Sequence, residues 1–199
     1  MSKRGRKVGA NGEDSRALLL SIATEEFAKN GYHETKISTI VQRAGLTQPT
    51  FYLYFNSKEA VFQELIDSFR QGLMERTNES RLESGMTLNS LPKRIANGLT
   101  SVFTFFAENQ HLTYIGFFNS LESVEIKKLL TLQIRENLMS EVKNGYFQTE
   151  IDMGLVAEIL IGAIERLTLT KLFSGEKKPE EIASDIVHLF LNGMLSNRE

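Results

Sequence analysis

The 199-residue chain contains no cysteine, only three prolines and no long apolar run. Without cysteine it can form no disulfide and carry out no thiol chemistry. No stretch approaches the ~18 apolar residues that a membrane-spanning helix needs, so we expect no membrane partner and a cytoplasmic protein. Hydrophobic residues nevertheless make up 41% of the chain, which is enough for a sizeable core.

The motifs of common enzymes are missing as well. The three histidines, His33, His111 and His188, lie far apart and do not have the spacing of metal ligands. There is no glycine-rich phosphate-binding loop and no nucleophile elbow. The sequence therefore predicts no enzyme, no cofactor and no metal site, and we interpret each histidine as a surface or capping residue.

The chain carries the features of an all-α protein. Prolines are few, leucine, glutamate, lysine and alanine are frequent, and no persistent two-residue alternation indicates a sheet. About nine helices are predicted, near residues 14–29, 37–44, 48–54, 58–80, 91–108, 111–119, 122–144, 151–173 and 179–196. The polar residues 81–90 are predicted to form a loop.

Residues 35–55 are the most informative segment. A first short helix has an apolar face formed by Ile37, Ile40, Val41 and Ala44. Gly45 can adopt the left-handed conformation that ends a helix. Thr47 can then cap a second short helix, with Pro49 in its first turn, where a missing N–H costs nothing. Two short helices joined by a tight glycine turn are the helix-turn-helix arrangement.

The second of these helices has an outer side suited to DNA. Phe51 and Phe55 lie four residues apart and are predicted to point inward. The outer side is left to uncharged hydrogen-bonding residues, namely Gln48, Thr50, Tyr52 and Tyr54. Such side chains can contact base edges and phosphate oxygens when the helix enters a major groove. The alternative is a polar face that only meets solvent.

Charge is distributed unevenly along the chain. The net charge is -2, but residues 1–60 hold nine basic and six acidic residues, so the remaining residues carry -5. Four cations, Lys3, Arg4, Arg6 and Lys7, lie in a predicted flexible arm at residues 1–13. This distribution would direct the N-terminal part onto phosphates, and the arm could reach a minor groove. The alternative for the arm is a solubilising tail.

The sequence from about Arg16 to about Leu65 resembles the tetracycline-repressor (TetR-like) family of bacterial one-component regulators. The matching motifs are Ala23-Thr-Glu-Glu-Phe27, Asn30-Gly-Tyr32, Thr35, Ile40-Val41, Ala44-Gly45-Leu46, Gln48-Pro49-Thr50, Phe51-Tyr52, Tyr54-Phe55 and Ser57-Lys58-Glu59. Beyond this segment the resemblance is only architectural. It implies a helix-turn-helix DNA-binding domain at residues 14–57 and a ligand-binding and dimerisation domain at residues 58–199.

Carried over residue by residue, the resemblance implies specific DNA contacts. Gln48, Pro49 and Thr50 match positions that face base edges, and Tyr52 and Tyr54 match positions that bind phosphates or nearby bases. Contacts to the DNA backbone are implied for Thr35, Thr47 and Lys58. Ser38 stands where some members place a base-reading arginine, so that contact is either missing or replaced by Lys36 or Arg43.

The last two predicted helices are expected to form a homodimer. They carry more apolar positions than one small body needs to bury: Leu155, Ile159, Ala163, Leu167, Ile182, Ile186, Leu189, Phe190 and Met194. Gly162 and Ala163 would allow close helix approach. The family pairs these helices with their counterparts in a second subunit. The alternative is that they only complete a monomer core.

A small-molecule effector site is expected in the body, because most relatives are released from DNA by a ligand. Aromatic residues on the helices that line the pocket in relatives are Phe103, Phe106, Tyr114, Phe117 and Phe118, and possible polar anchors are Arg135 and Glu165 or Arg166. Aromatic residues at this spacing also commonly serve as core packing. Few charges there would suit a hydrophobic or amphipathic compound.

The function implied is that of a homodimeric repressor that binds a palindromic double-stranded DNA operator and is released by a small hydrophobic effector. Phe69, Leu73 and Met74 of the fourth helix are expected to link effector site and DNA-binding domain. Two alternatives of the same fold are an activator that needs its ligand and a DNA-binding regulator without one.

Overall fold

The structure is a computed structural model that describes residues 10–79 and 89–194, and within those ranges it contains nine helices and no strand. The helices are α1 Ala10–Glu34, α2 Ile37–Arg43, α3 Gln48–Tyr52, α4 Lys58–Glu79, α5 Leu91–Glu108, α6 Gln110–Thr113, α7 Glu122–Lys143, α8 Met153–Leu167 and α9 Pro179–Asn192. Short π-helical turns extend α6 over Tyr114–Phe118 and α8 over Thr168–Leu172. The all-α prediction is confirmed.

The bounds of α1 and the start of α8 differ from the prediction. Helix α1 already begins at Ala10, so residues 10–13 of the predicted arm are helical, and it runs on to Glu34. Gly31 interrupts it with φ +76°. Helix α8 begins only at Met153, because Asp152 is its N-cap and its carboxylate accepts hydrogen bonds from the next backbone N–H groups. The cationic residues of the arm and most of the predicted loop at 81–90 lie outside the described residues.

Helices α1, α2 and α3 pack with the start of α4 into an N-terminal head. Its buried side chains are Leu19, Ile22, Ala23, Phe27, Ile40, Val41, Phe51, Phe55, Val61 and Leu65. Arg16 of α1 pairs with Glu64 of α4 at 2.6 Å, and its guanidinium lies 4.9 Å from the centre of the Phe55 ring. The ion pair and the apolar core together fix α4 to the head.

Helix α4 continues from the head into the C-terminal body, which comprises the later part of α4 and helices α5 to α9. Its buried stripe comprises Val61, Leu65, Ile66, Phe69 and Leu73, and one continuous apolar core joins head and body along it. The Phe69 ring lies 5.7–6.3 Å from the ring centres of Phe105, Phe106 and Phe117. Around this aromatic cluster, α5 packs along α9, and α7 packs along α8.

The π-helical turn after α6 brings Gly116 directly against Phe69. A Cβ atom on Gly116 would lie 2.3 Å from Cδ1 of the Phe69 ring, and that ring is fully buried.

Among the described residues, no helix has the length and hydropathy of a membrane span, and no group of three or more potential metal ligands comes together.

We predict that Gly116→Ala lowers the free energy of unfolding by about 2 kcal/mol, because the added methyl must displace a close-packed ring. Urea denaturation at fixed protein concentration measures the change. Gly12→Ala is the matched control, since the nearest atom to a Cβ there is the Tyr54 hydroxyl at 3.7 Å. Equal stability of Gly116→Ala and the wild type would contradict this account of the α4 contact.

Candidate nucleic-acid interface and ligand cavity

The turn between α2 and α3 has the predicted geometry. Gly45 adopts φ +64°, and the Leu46 N–H donates to the Val41 carbonyl at 2.8 Å, which closes the end of α2. The Thr47 hydroxyl accepts from the Thr50 N–H at 3.4 Å and caps α3. Phe51 of α3 is fully buried, as the sequence predicted. The helix-turn-helix is therefore held by its own caps and by the core beneath it.

The outer side of α3 is exposed and nearly uncharged. Gln48 and Pro49 are exposed, Thr50 is half-buried, and Tyr52 keeps 54% of its surface accessible. Gln48 and Tyr52 border a shallow polar depression that also includes Lys36, which is exposed. We call these five residues the α3 surface. Within the described part of the chain, Lys36 forms no ion pair, so its positive charge is not neutralised by a neighbouring carboxylate.

Lys58 has a different role from the predicted phosphate contact. Its ammonium donates to the main-chain carbonyls of Tyr32, His33 and Thr35 at 2.7, 3.3 and 2.9 Å, and it lies 4.4 Å from the centre of the Tyr32 ring. An ammonium has three N–H donors, and here each has a carbonyl partner. In this structure Lys58 thus caps the end of α1 and has no donor left for a phosphate.

Thr35 is also turned inward rather than toward the surface. Its side chain is buried, and its hydroxyl donates to the carbonyls of Gly31 at 2.8 Å and Glu26 at 3.2 Å. The hydroxyl stabilises the kinked end of α1, where the helical hydrogen bonds are interrupted at Gly31. The buried position of this side chain therefore does not fit the predicted DNA contact.

Tyr54 and Arg43 are likewise engaged inside the head. Tyr54 is half-buried against the core, with its hydroxyl near the start of α1. Arg43 pairs with Glu25 at 2.6 Å and with Glu26 at 2.7 Å. These carboxylates raise the pKa of Arg43 and neutralise its charge locally. Lys36 or Arg43 was predicted to replace the base-reading arginine that is absent at Ser38, and of these two only Lys36 is free of ion pairs in the described ranges.

A carboxylate lies at the junction of α1 and α4. The Tyr32 hydroxyl donates to Glu59, and this bond lowers the pKa of Glu59 to about 2. Desolvation, together with the neighbouring carboxylate, raises the pKa of Tyr32 to about 12. Glu59 is therefore ionised and Tyr32 neutral at physiological pH, which keeps their hydrogen bond intact.

Two adjoining apolar cavities lie in the body. The smaller one, of about 110 Å³, is enclosed by α4, α5, α7 and α8, and the larger one, of about 370 Å³, by α5, α8, α9 and the α7–α8 connection. Both are lined by Ile95, Leu99, Leu138, Phe147 and Leu160. Apolar spaces of this combined size are typical of small-molecule sites. Sequence reasoning missed these residues, because half-buried leucines and isoleucines look the same at a cavity wall and in a core.

The residues predicted to bind the ligand do not line either cavity. Phe106 and Phe117 are fully buried in the aromatic cluster around Phe69, and Phe103 is fully buried in the core. The Tyr114 and Phe118 rings pack on each other with centres 6.2 Å apart. Arg135 lies exposed on α7 beside a separate surface depression. Glu165 pairs with Lys127 at 2.9 Å. Phe103, Phe106 and Phe117 are therefore core packing, which was the alternative interpretation, whereas Tyr114 is 40% exposed.

The predicted dimer residues divide into three groups by exposure. Exposed apolar side chains are Leu155 and Ile159 on α8, and Leu189, Phe190 and Met194 at the end of the chain. Ala163 and Leu167 are half-buried. Ile182 and Ile186 are buried inside this chain, where α9 packs on α5, so they are removed from the predicted interface.

Comparisons with known proteins agree with this architecture. Residues 19–65 match the family model of bacterial regulatory proteins, tetR family. The uncharacterized HTH-type transcriptional regulator YdgC of Bacillus subtilis (strain 168) is 44% identical over 94% of this chain and 95% of its own. The fatty acid metabolism regulator protein of the same organism is 22% identical over 88% of this chain and 93% of its own.

Solved structures share the fold at lower identity. PfmR of Thermus thermophilus superposes with a TM-score of 0.72 at 22% identity, over 89% of this chain and 99% of that one. FadR of Bacillus subtilis, in complex with stearoyl-CoA, superposes with a TM-score of 0.65 at 22% identity, over 90% of this chain and 99% of that one.

We predict that Lys58→Met lowers the free energy of unfolding by about 1–3 kcal/mol, because three carbonyls lose a charged donor. Thermal denaturation followed by circular dichroism measures the effect. Lys36→Met should change stability by no more than about 0.5 kcal/mol, since this exposed lysine forms no ion pair in the described ranges. Unchanged stability of Lys58→Met together with weaker DNA binding would instead support the phosphate contact.

Proposed function

The chain belongs to the tetR family of bacterial regulatory proteins, and from that premise we propose that it is a homodimeric repressor which binds a palindromic operator and is released by an apolar ligand. As a helix-turn-helix transcription regulator it belongs to a family of DNA-binding proteins rather than enzymes. The observation that carries the proposal is the α3 surface, where hydrogen-bonding side chains are exposed on a helix that caps and core contacts hold rigidly.

In this proposal the α3 surface enters the major groove. Gln48 can form a bidentate pair with adenine, while Pro49 and the Thr50 methyl group can contact a thymine methyl. Tyr52 binds a phosphate or a neighbouring base, and Lys36 supplies a positive charge beside it. Because the other described head cations nearest α3 are engaged internally, we assign the remaining electrostatic attraction to the basic residues 3–7.

A homodimer would place two copies of the α3 surface on one face of the DNA. Reading a palindrome requires the two helices to lie ~34–36 Å apart, about one turn of B-DNA. The outer faces of α8 and α9 suit this pairing, because α8 packs inward on α7 and α9 packs inward on α5. Leu155, Ile159 and Leu189 are then exposed in a single chain but would be covered in a dimer.

The two body cavities are the proposed effector site. Their walls are mainly apolar, and a related fold has been solved with stearoyl-CoA, so we propose a ligand with a hydrocarbon portion. Thr77 near the end of α4 lines the smaller cavity, while Lys58 at the start of the same helix holds the end of α1. A ligand that prefers a second position of α4 would weaken DNA binding by its difference in affinity for the two states.

The test is footprinting of the purified protein on the DNA flanking its own gene, at two salt concentrations. We expect protection of a short palindrome that weakens steeply as salt rises. Tyr52→Ala should lower operator affinity by about 5- to 150-fold, because one phosphate or base contact is worth ~1–3 kcal/mol. Leu53→Ala is the control, since Leu53 is exposed beside Tyr52 but has no hydrogen-bonding group. Normal operator binding by Tyr52→Ala would refute the docking of α3.

We predict that Ile159→Glu converts the dimer into a monomer, because a carboxylate would be buried without a partner at the α8 interface. Sedimentation velocity at micromolar protein measures the change, and operator affinity should fall with it. Val124→Glu serves as control, since it adds the same charge to an exposed apolar site on α7. A fully dimeric Ile159→Glu variant would place the interface elsewhere.

A further inference from the structure

The smaller body cavity has one polar wall. Most of its lining is apolar, but three side chains contribute oxygen or nitrogen atoms: Thr77 from α4, and Asn137 and Glu141 from α7. Asn137 and Glu141 are four residues apart, so they lie on the same face of α7 one turn from each other. Glu141 is only 5% exposed, which makes it a buried carboxylate at the edge of an apolar space.

The Glu141 carboxylate has few hydrogen-bond donors around it for a buried acid. One of its oxygens, Oε2, accepts from the Asn144 amide at 3.3 Å, and Oε1 has no hydrogen-bond partner among residues 10–79 and 89–194. No lysine, arginine or histidine in those ranges pairs with it. Oε1 is not among the fully buried oxygens without a partner in the described residues, so it is accessible from the cavity that Glu141 lines. A carboxylate oxygen that faces an apolar space is stabilised by a hydrogen-bond donor. The cavity therefore favours a ligand that donates a hydrogen bond.

Asn137 supplies the complementary group. Its Oδ1 accepts from the Gln133 amide at 3.1 Å, which leaves its Nδ2 group as a donor toward the cavity that Asn137 lines. The pair thus offers one acceptor, on Glu141, and one donor, on Asn137. A neutral hydroxyl matches both, because its O–H can donate to the carboxylate while its oxygen accepts from the amide. A ligand carboxylate would instead bring a second negative charge to Glu141.

We propose that the effector is an apolar molecule carrying a neutral hydroxyl group, and that Glu141 and Asn137 bind this hydroxyl. The inference rests on the proposed effector site and specifies its ligand class. It separates an alcohol from a fatty acid of the same chain length, which the apolar walls alone cannot do. Thr77 also faces this cavity, so the hydroxyl binds next to α4, the helix that continues into the head.

The experiment is displacement of the neutral fluorescent dye N-phenyl-1-naphthylamine from the full-length protein. Decan-1-ol and decanoate are compared because they differ only at the polar end. We expect decan-1-ol to displace the dye at a concentration at least about tenfold lower than decanoate. Decylamine, a cation of the same length, should not surpass decan-1-ol, because its ammonium loses its hydration in a mainly apolar cavity where Glu141 Oε1 can pair with only one of its three N–H donors.

Two variants test the assigned residues. Glu141→Gln removes the charge at constant shape, so decanoate should gain affinity and the tenfold preference should shrink to about twofold or less. Asn137→Leu should weaken decan-1-ol binding while the dye still binds. Glu136→Gln is the matched control, because Glu136 is an exposed carboxylate on the same helix and the substitution should leave the preference unchanged. Circular dichroism confirms that each variant is folded.

The possible failures are distinguishable. Equal displacement by decan-1-ol and decanoate, tighter binding of decylamine, or an unchanged preference in Glu141→Gln would overturn the hydroxyl assignment but leave an apolar effector site in place. Failure of the folded wild type to take up the dye or any of the three chains would overturn the hydroxyl assignment together with the proposed effector site. Footprinting of the operator is independent of both results.

Discussion

The contact between Phe69 and Gly116 is the constraint on which the rest of this structure depends. Helix α4 belongs to the head at its start and to the body at its end, and its position is set where a buried ring meets a residue without a side chain. The π-helical turn presents Gly116 at that point, and the surrounding phenylalanines enclose the ring. A close-packed contact of this kind resists gradual deformation. In the proposed mechanism, a movement of α4 in the body would therefore reach the head as a displacement of the whole helix.

The head uses most of its described cations to hold itself together. Arg16 joins α1 to α4, Arg43 joins α2 to α1, and Lys58 caps the end of α1. These contacts fix the segment from which α2 begins, and so they orient α3 indirectly. The proposed DNA surface consists mainly of uncharged hydrogen-bonding groups, which favours readout of base edges over simple attraction to phosphates. Because the cations hold the head together and uncharged groups form the proposed DNA surface, a chain with a net charge of -2 can still carry a DNA-binding surface.

The body combines an aromatic cluster with neighbouring apolar cavities. Phe105, Phe106 and Phe117 pack around Phe69 of α4, whereas the cavities lie farther along the bundle, mainly between α5, α7, α8 and α9. The smaller cavity borders the last turns of α4 through Thr77, while the aromatic cluster holds the middle of the helix. A ligand near Thr77 would thus act on one end of a helix whose other end carries Lys58.

The sequence by itself determined the local features of this protein. The periodicity around Ile40 and Val41, the left-handed glycine at 45 and the cap at Thr47 each depend on residues within one or two helical turns, and the structure confirms them. The tertiary structure alone decided which partner each long side chain meets. Lys58 reaches carbonyls of residues more than twenty positions earlier, Arg43 reaches Glu25, and Phe106 meets Phe69 rather than a cavity. Such choices depend on the relative placement of helices distant in sequence, and hydrophobic spacing indicates that a residue is covered but not what covers it.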